Sequence, residues 1–307
     1  MDVDAVSIPE VTLRSGNVEA IITASGAAVR SLTVDGRPLL RSFPPSVRPP
    51  GAANIVLAPW PNRVADAKFD FGGTTHQLEV SEPELGHALH GFTWGRIFDF
   101  VATDDGEATL RTVLGPEPGW PWPIDVTVTY TLIAQGGIQG GIQGGIQGTM
   151  TAKNTSDEPA PCALGVHTYI SALGAPLDEC TLHHQLTHRQ PLDSRNIPTG
   201  PREPWDENPI VMDGVWLDDA GVYGNNAIAD HGASGGTHVA RLINADGEGV
   251  ALEASSSMRW AQIFTSPQRH LAVEPMTAPP DALNSGEDLT VLAPGEAMTV
   301  AWSVTTI

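Results

Sequence analysis

"DVTVTYTLIA", residues 125–134, alternates apolar and polar side chains with a period of two. Val126, Val128, Tyr130 and Leu132 fall on one face of an extended chain, and Asp125, Thr127, Thr129 and Thr131 fall on the other. That is the pattern of a strand with one face on a core and the other toward water. Its β-branched and aromatic residues fit a pleated surface better than a helix. Runs of the same kind recur along the chain: "EAIITA", "RIFDFVA", "ATLRTVL", "GVALEA", "RWAQIFT", "HLAVEP" and "MTVAWSVTTI". The turn signals "VDGR", "FGGT", "NADGEG" and "APGE" punctuate them. No stretch keeps a helical period over three turns. The sequence therefore predicts an all-β fold, a large antiparallel β-sandwich. The 32 glycines and 26 prolines agree with many short strands and turns. No break in composition divides the chain, so residues 1–307 are read as a single domain.

Charge narrows the partners. Sixteen Lys and Arg stand against 36 Asp and Glu, a net charge of −20. Such a surface repels polyanions, which argues against nucleic acid and against an anionic membrane face. A small neutral molecule is compatible with it. No apolar run reaches the length of a membrane span, and "MDVDAVSIPE" lacks the basic and apolar regions of a signal peptide. Cys162 and Cys180 make no CxxC pair and read as reduced core thiols, with one disulfide as the alternative. Cytoplasmic residence is the expectation.

One segment is repetitive: "GGIQGGIQGGIQG", residues 136–148. Three short units cannot bury a solenoid core. They read as a slipped duplication that lengthens a hairpin loop between "YTLIA" and "TMTAKN".

Several residues could carry chemistry. His167 in "ALGVHTYI" shares a strand face with Gly165 and Tyr169, which suits either a pocket wall or a core histidine held by a carbonyl. Glu274 in "RHLAVEPMT" ends an apolar strand before Pro275; it is either a buried carboxyl raised toward neutrality, useful as a base, or half of an ion pair. Arg63 follows Pro-Trp-Pro in "PWPNRV" and could aim at a ligand or simply pair with an acid in an acidic protein. The HxxH spacing of His87 and His90, and the group His183, His184 and His188 in "HHQLTH", hint at metal. Two imidazoles do not make a site, and "CTLHHQLTH" reads as strand, so no metal is assigned. Glu82 and Glu84 in "SEPELG" read as solvated loop charges. No nucleotide-binding glycine loop and no GxSxG nucleophile motif is present.

Taken in order, "PWPNRV", "HALHGFTWG", "GVHTYI" and "VEPMTAPPDALNSGEDLTVLAPGE" resemble the aldose 1-epimerase (galactose mutarotase) family. The resemblance runs from the "GAAVRSLTVDGRPLL" hairpin to the final "LAPGE" turn. It implies the family's β-supersandwich, a sugar as substrate, and mutarotation by proton transfer with no cofactor. It also implies roles. Glu274 would be the base that takes the C1 hydroxyl proton, and His167, as an imidazolium, the acid that protonates the ring oxygen. Arg63 and His90 would hold the sugar, and Asn62 would help to shape the site. An aspartate that grips sugar hydroxyls is matched by Asp218 in "VWLDDAGVYG", or by Asn225 in an alternative register. The chain departs from the family at Thr168 and Ile170, where Pro and Phe are usual. Two variants stay open beside free-sugar mutarotation. One is action on a hexose 6-phosphate, which needs a cationic pocket and for which Arg96 is a nearby candidate. The other is a carbohydrate-binding protein without turnover.

Overall fold

The computed structural model describes residues 8–46, 48–134, 144–223 and 236–307. Among these residues the fold is almost entirely β. Antiparallel pairing joins every named strand to its neighbour. Among the described residues the longest helix is one turn, Ala282–Ser285, and no helix is long and apolar enough to cross a membrane.

A nine-stranded sheet forms one layer, with Ile124–Ile133, Gly145–Asn154, Ala297–Thr306 and Gly249–Ser255 side by side in its middle. The strand Ile124–Ile133 follows its sequence pattern closely: Ile124, Val126, Val128, Tyr130 and Leu132 are buried, and Thr131 is exposed. An eight-stranded sheet carries Asp218–Val222, Trp260–Thr265, Leu271–Met276 and Gly165–Val166 as successive neighbours. A four-stranded sheet runs in chain order from Glu10–Ser15 through Val18–Thr23 and Ala28–Val34 to Arg37–Pro38. One apolar cluster draws on all three sheets, with Leu13, Ile22, Val126, Val128, Leu252 and Val273 among its members. The Tyr130 hydroxyl donates to the Ala27 carbonyl at 2.7 Å. That bond ties the four-stranded sheet to the large one and satisfies a hydroxyl that burial would otherwise penalise.

The repetitive segment corrects one expectation. Its first part lies outside the described residues, but Gly145–Gly148 is strand, paired with both flanking strands. In the ladder Gly148 stands between Tyr130 and Trp302. Their rings meet edge to face over it, 5.8 Å apart. A Cβ at Gly148 would lie 2.3 Å from the Trp302 indole. The glycine is a packing requirement, because only its bare Cα lets the two rings close over the ladder. Cys162 and Cys180 are both buried free thiols.

Replacing Gly148 with Ala should therefore cost about 1–3 kcal/mol, the range for forcing a methyl into a packed interior. Urea denaturation would show it as a lower midpoint at unchanged slope. A loop-like Gly148 would leave the midpoint where it was.

Candidate active site

Three neighbouring strands of the eight-stranded sheet present a common polar face. Gln262 pairs directly with Glu274, and Phe264 pairs with both Ala272 and Asp218. Directly opposed residues in a ladder share a face, and so do residues two apart. Asp218, Gln262, Phe264 and Glu274 therefore point the same way. Leu271, Val273 and Ile263, on the opposite face, belong to the main core. Tyr169 joins the polar face through its pairing with Ala272. His167 sits in the break between Gly165–Val166 and Thr168–Ile170. Its backbone is held on both sides: its N–H donates to the Ile55 carbonyl at 3.0 Å, and its carbonyl accepts from Asn54 at 2.8 Å.

The wall opposite comes from two irregular segments. Arg63–Val64 pairs with Ala88–Leu89. The His90 N–H donates to the Asn62 carbonyl at 2.9 Å, and the Asn62 N–H donates back to His90 Nδ1 at 3.2 Å. Asn62, His90 and Gly91 all adopt positive φ, at 55°, 62° and 66°. Asn and His are among the residues that tolerate that region. Gly91 is required there, since a Cβ would fall 2.1 Å from the Ala58 carbonyl oxygen.

These elements enclose a cavity of about 200 Å³. Glu274 and His167 lie in it, 3.2 Å apart between Oε1 and Nε2, and only 3% and 5% of their side chains are exposed. Burial, reinforced by the charge of Asp218, raises the Glu274 carboxyl to about 8. Burial lowers His167 to about 4. Both shifts disfavour charge. Both directions favour the arrangement with a neutral ring and a protonated carboxyl. Burial thus works against the imidazolium expected from the sequence, since removal from water favours the neutral ring. Glu274 Oε2 is buried and has no hydrogen-bond partner among the described residues. Such an oxygen is costly, by roughly 1–3 kcal/mol, until a donor reaches it.

Arg63 makes the ion pair that is one reading of its sequence context, and it does so at the cavity wall. It lines the cavity, and it is locked to Glu82 by two parallel bonds of 2.8 and 2.9 Å. Glu82 is thus no solvated loop charge; 15% of its side chain is exposed, and it lines the cavity as well. Asp218 stands at the mouth, where Gln262 donates to Oδ1 at 2.7 Å and Asn196 to Oδ2 at 3.1 Å. Crowding by protein raises its carboxyl from the usual range. Asn62 hydrogen-bonds Gln262 at 3.3 Å. Trp94, Tyr169, Phe264, Gly51 and Ala52 complete the lining. Arg96 pairs with Glu117 at 2.5 Å and is absent from the lining. Asn225 lies outside the described residues.

The sequence model for "Aldose 1-epimerase" matches residues 9–305. The chain belongs to the aldose 1-epimerase family. The Escherichia coli K12 protein YihR, described as uncharacterized, is 27% identical over 294 residues, which span 93% of this chain and 89% of YihR. Two solved structures are similar in fold. A galactose mutarotase-like protein from Clostridium acetobutylicum superposes with a TM-score of 0.80 at 19% identity, covering 98% of each chain. A galactose 1-epimerase from Lactobacillus acidophilus superposes with a TM-score of 0.77 at 14% identity, covering 100% of this chain and 96% of the other.

The pocket of this epimerase-family chain also contains a set that looks metal-like: ligand atoms of His90, His167 and Glu274 lie within 4.8 Å of one another. The tautomer of His90 does not fit it. Nδ1 accepts the Asn62 N–H, so the neutral ring carries its proton on Nε2 and offers a donor, not a ligand lone pair. Burial, with the charge of Arg63, holds His90 well below the usual imidazole range. His87 has both nitrogens engaged, accepting from Asp66 N–H at 3.1 Å and donating to the Arg195 carbonyl at 3.1 Å. It braces the loop. His184 is buried against Trp205, rings 4.6 Å apart, remote from the pocket lining.

Glu82 and Gln262 are the polar pocket residues that sequence reading missed, as it missed the aromatic Trp94 and Phe264. Glu82 looked like any loop acid, and Gln262 lies 200 positions from its partner Asn62. Nothing local marks either one. Glu82→Gln should cost about 1–3 kcal/mol in urea denaturation, the penalty for leaving a part-buried guanidinium without its carboxylate. A freely solvated Glu82 would change stability by less than ~0.5 kcal/mol.

Proposed function

We propose that the chain, with residues 1–307 acting as one epimerase domain, interconverts the α and β anomers of an aldose by cofactor-free acid–base catalysis. The supporting observation is the Glu274–His167 pair: two buried titratable groups 3.2 Å apart, lining a cavity sized for a single sugar ring rather than a polymer. A purely binding pocket has no need of such a pair.

In this reading the C1 hydroxyl donates to Glu274, and that hydrogen bond favours the carboxylate. The pair's proton passes to His167 Nε2. Glu274 then takes the hydroxyl proton as the C1–O5 bond breaks, and His167 gives its proton to O5. The result is an open-chain aldehyde. Rotation about C1–C2 and the reverse transfers close the other anomer. Atoms and charge balance without oxidant, reductant or metal. Arg63, with its guanidinium fixed by Glu82, orients sugar oxygens. His90 offers an Nε2–H donor, Asp218 accepts from hydroxyls, and Asn62 holds His90 and Gln262 in place. The buried free thiols suit a reducing cytoplasm.

Polarimetry on fresh α-D-glucose and α-D-galactose, corrected for spontaneous mutarotation, tests the reading. Wild type should accelerate at least one sugar, and Glu274→Gln should lose about 10²–10⁴-fold in kcat, the usual worth of general acid–base catalysis. Sugar binding without turnover in wild type would favour the binding-protein alternative instead.

The dependence of kcat/KM on pH should be bell-shaped, with limbs near 4 and 8 that belong to the pair as a unit. Above the upper limb the pair loses its only proton and no acid remains. Below the lower limb it holds two and no base remains. A corrected rate that rises steadily past the upper limb would exclude this pair as the proton carrier.

A further inference from the structure

His167 and Glu274 face each other because two pairings share one register. Gly165 pairs with Met276 and Thr168 with Val273, an equal step on both strands, so His167 stands opposite Glu274. Register alone does not aim a side chain. Among the described residues none hydrogen-bonds His167 Nδ1, the nitrogen whose partner commonly orients a working imidazole. The aim of the ring is left to its backbone and to the rings packed on it, His90 at 5.3 Å and Tyr169 at 5.1 Å between centres.

Asn54 lies along the opposite edge of the His167 backbone. The His167 N–H donates to the Ile55 carbonyl at 3.0 Å, while its carbonyl accepts from the Asn54 N–H at 2.8 Å. Two residues thus oppose one, the arrangement of a β-bulge, a device that re-aims side chains beside active sites. The first residue of the bulge is left-handed, with φ 57° at Asn54, where glycine is the usual choice. Asn54 keeps a side chain there, and both ends of its carboxamide are used. Oδ1 accepts the Tyr169 N–H at 2.9 Å. Nδ2 donates to the Val29 and Arg41 carbonyls, both at 2.9 Å. The Arg41 N–H in turn donates to the Tyr169 carbonyl at 2.9 Å. The backbone of Tyr169 is therefore gripped at its N–H and at its carbonyl, and its ring abuts His167. Asn54 is 6% exposed and absent from the cavity lining, so it acts from behind the site. A glycine would serve the bulge; the carboxamide serves Tyr169.

We propose that Asn54 is a positioning residue for His167: its carboxamide, acting through Tyr169 and the bulge, holds the imidazole on Glu274. The proposal rests on the epimerase reading and deepens it.

Asn54→Gly tests it, because glycine suits the left-handed backbone and only the carboxamide is lost. In mutarotation of whichever sugar wild type accelerates, this variant should lower kcat about 10–100-fold, the cost of a misplaced reacting group, with KM within about twofold. Asn54→Asp keeps an acceptor for the Tyr169 N–H and loses both donors; it should lower kcat in the same sense. Gly148→Ala is the control, since it weakens the packing of the nine-stranded sheet and should leave kcat unchanged. A kcat that stays at the wild-type value in Asn54→Gly, whatever its urea midpoint, would reduce Asn54 to a part of the fold and overturn the proposal. So would a loss carried by KM alone, or failure of both Asn54 variants to fold. If wild type turns over no sugar, the epimerase reading fails, and proton NMR of the histidine rings decides the positioning separately. The His167 signal, assigned by its loss in His167→Gln, should move in Asn54→Gly, while that of His183, on the nine-stranded sheet, stays. A His167 signal that also stays refutes the proposal.

Discussion

Removal from water governs the Glu274–His167 pair and, through it, the rest of the site. In water a glutamate and a histidine at neutral pH would each settle their own proton. Held 3.2 Å apart in a place where charge is costly, they settle it together. Burial favours the arrangement with the proton on the carboxyl, and the alternative with carboxylate and imidazolium is a short transfer away. Such a pair can act as base and acid in the same event, provided that an incoming hydroxyl favours the charged arrangement. The surrounding wall is built to keep water out and to leave Glu274 Oε2 in want of a donor.

The fold supplies that enclosure with ordinary strand physics. Period two sends Leu271 and Val273 into the core and Glu274 toward the pocket. Ladder pairing sets Gln262 beside Glu274 and Phe264 beside Asp218. Regular strands cannot cap the face they present. Closure comes from residues in left-handed conformations, Asn62, His90 and Gly91, which bring the Arg63 and His90 segments close over the sheet. The Asn62 N–H that fixes His90 also fixes its tautomer, so the same contact that shapes the wall decides that His90 is a donor.

In the pocket a network of Asn62, Gln262, Asp218 and the Arg63–Glu82 pair offers alternating donors and acceptors, the pattern that ring hydroxyls match. Trp94, Tyr169 and Phe264 add flat aromatic surface to the same lining.

The sequence by itself determined the strands and four of the pocket segments. Alternation in "DVTVTYTLIA" is a local consequence of pleating, and it became the strand Ile124–Ile133 with its buried row intact. The motifs around Arg63, His90, His167 and Glu274 were legible because each is a short contiguous string, and their residues do line one cavity. Tertiary structure alone decided three things. It made Gly145–Gly148 strand instead of loop, because Tyr130 and Trp302 needed a bare Cα between them. It brought Glu82 and Gln262 to the site through contacts with Arg63 and Asn62, partners that no local pattern announces. And it set the charge of His167: protonation depends on how much water remains around the ring, and water is excluded by residues distant in sequence that meet only when the sheet is covered.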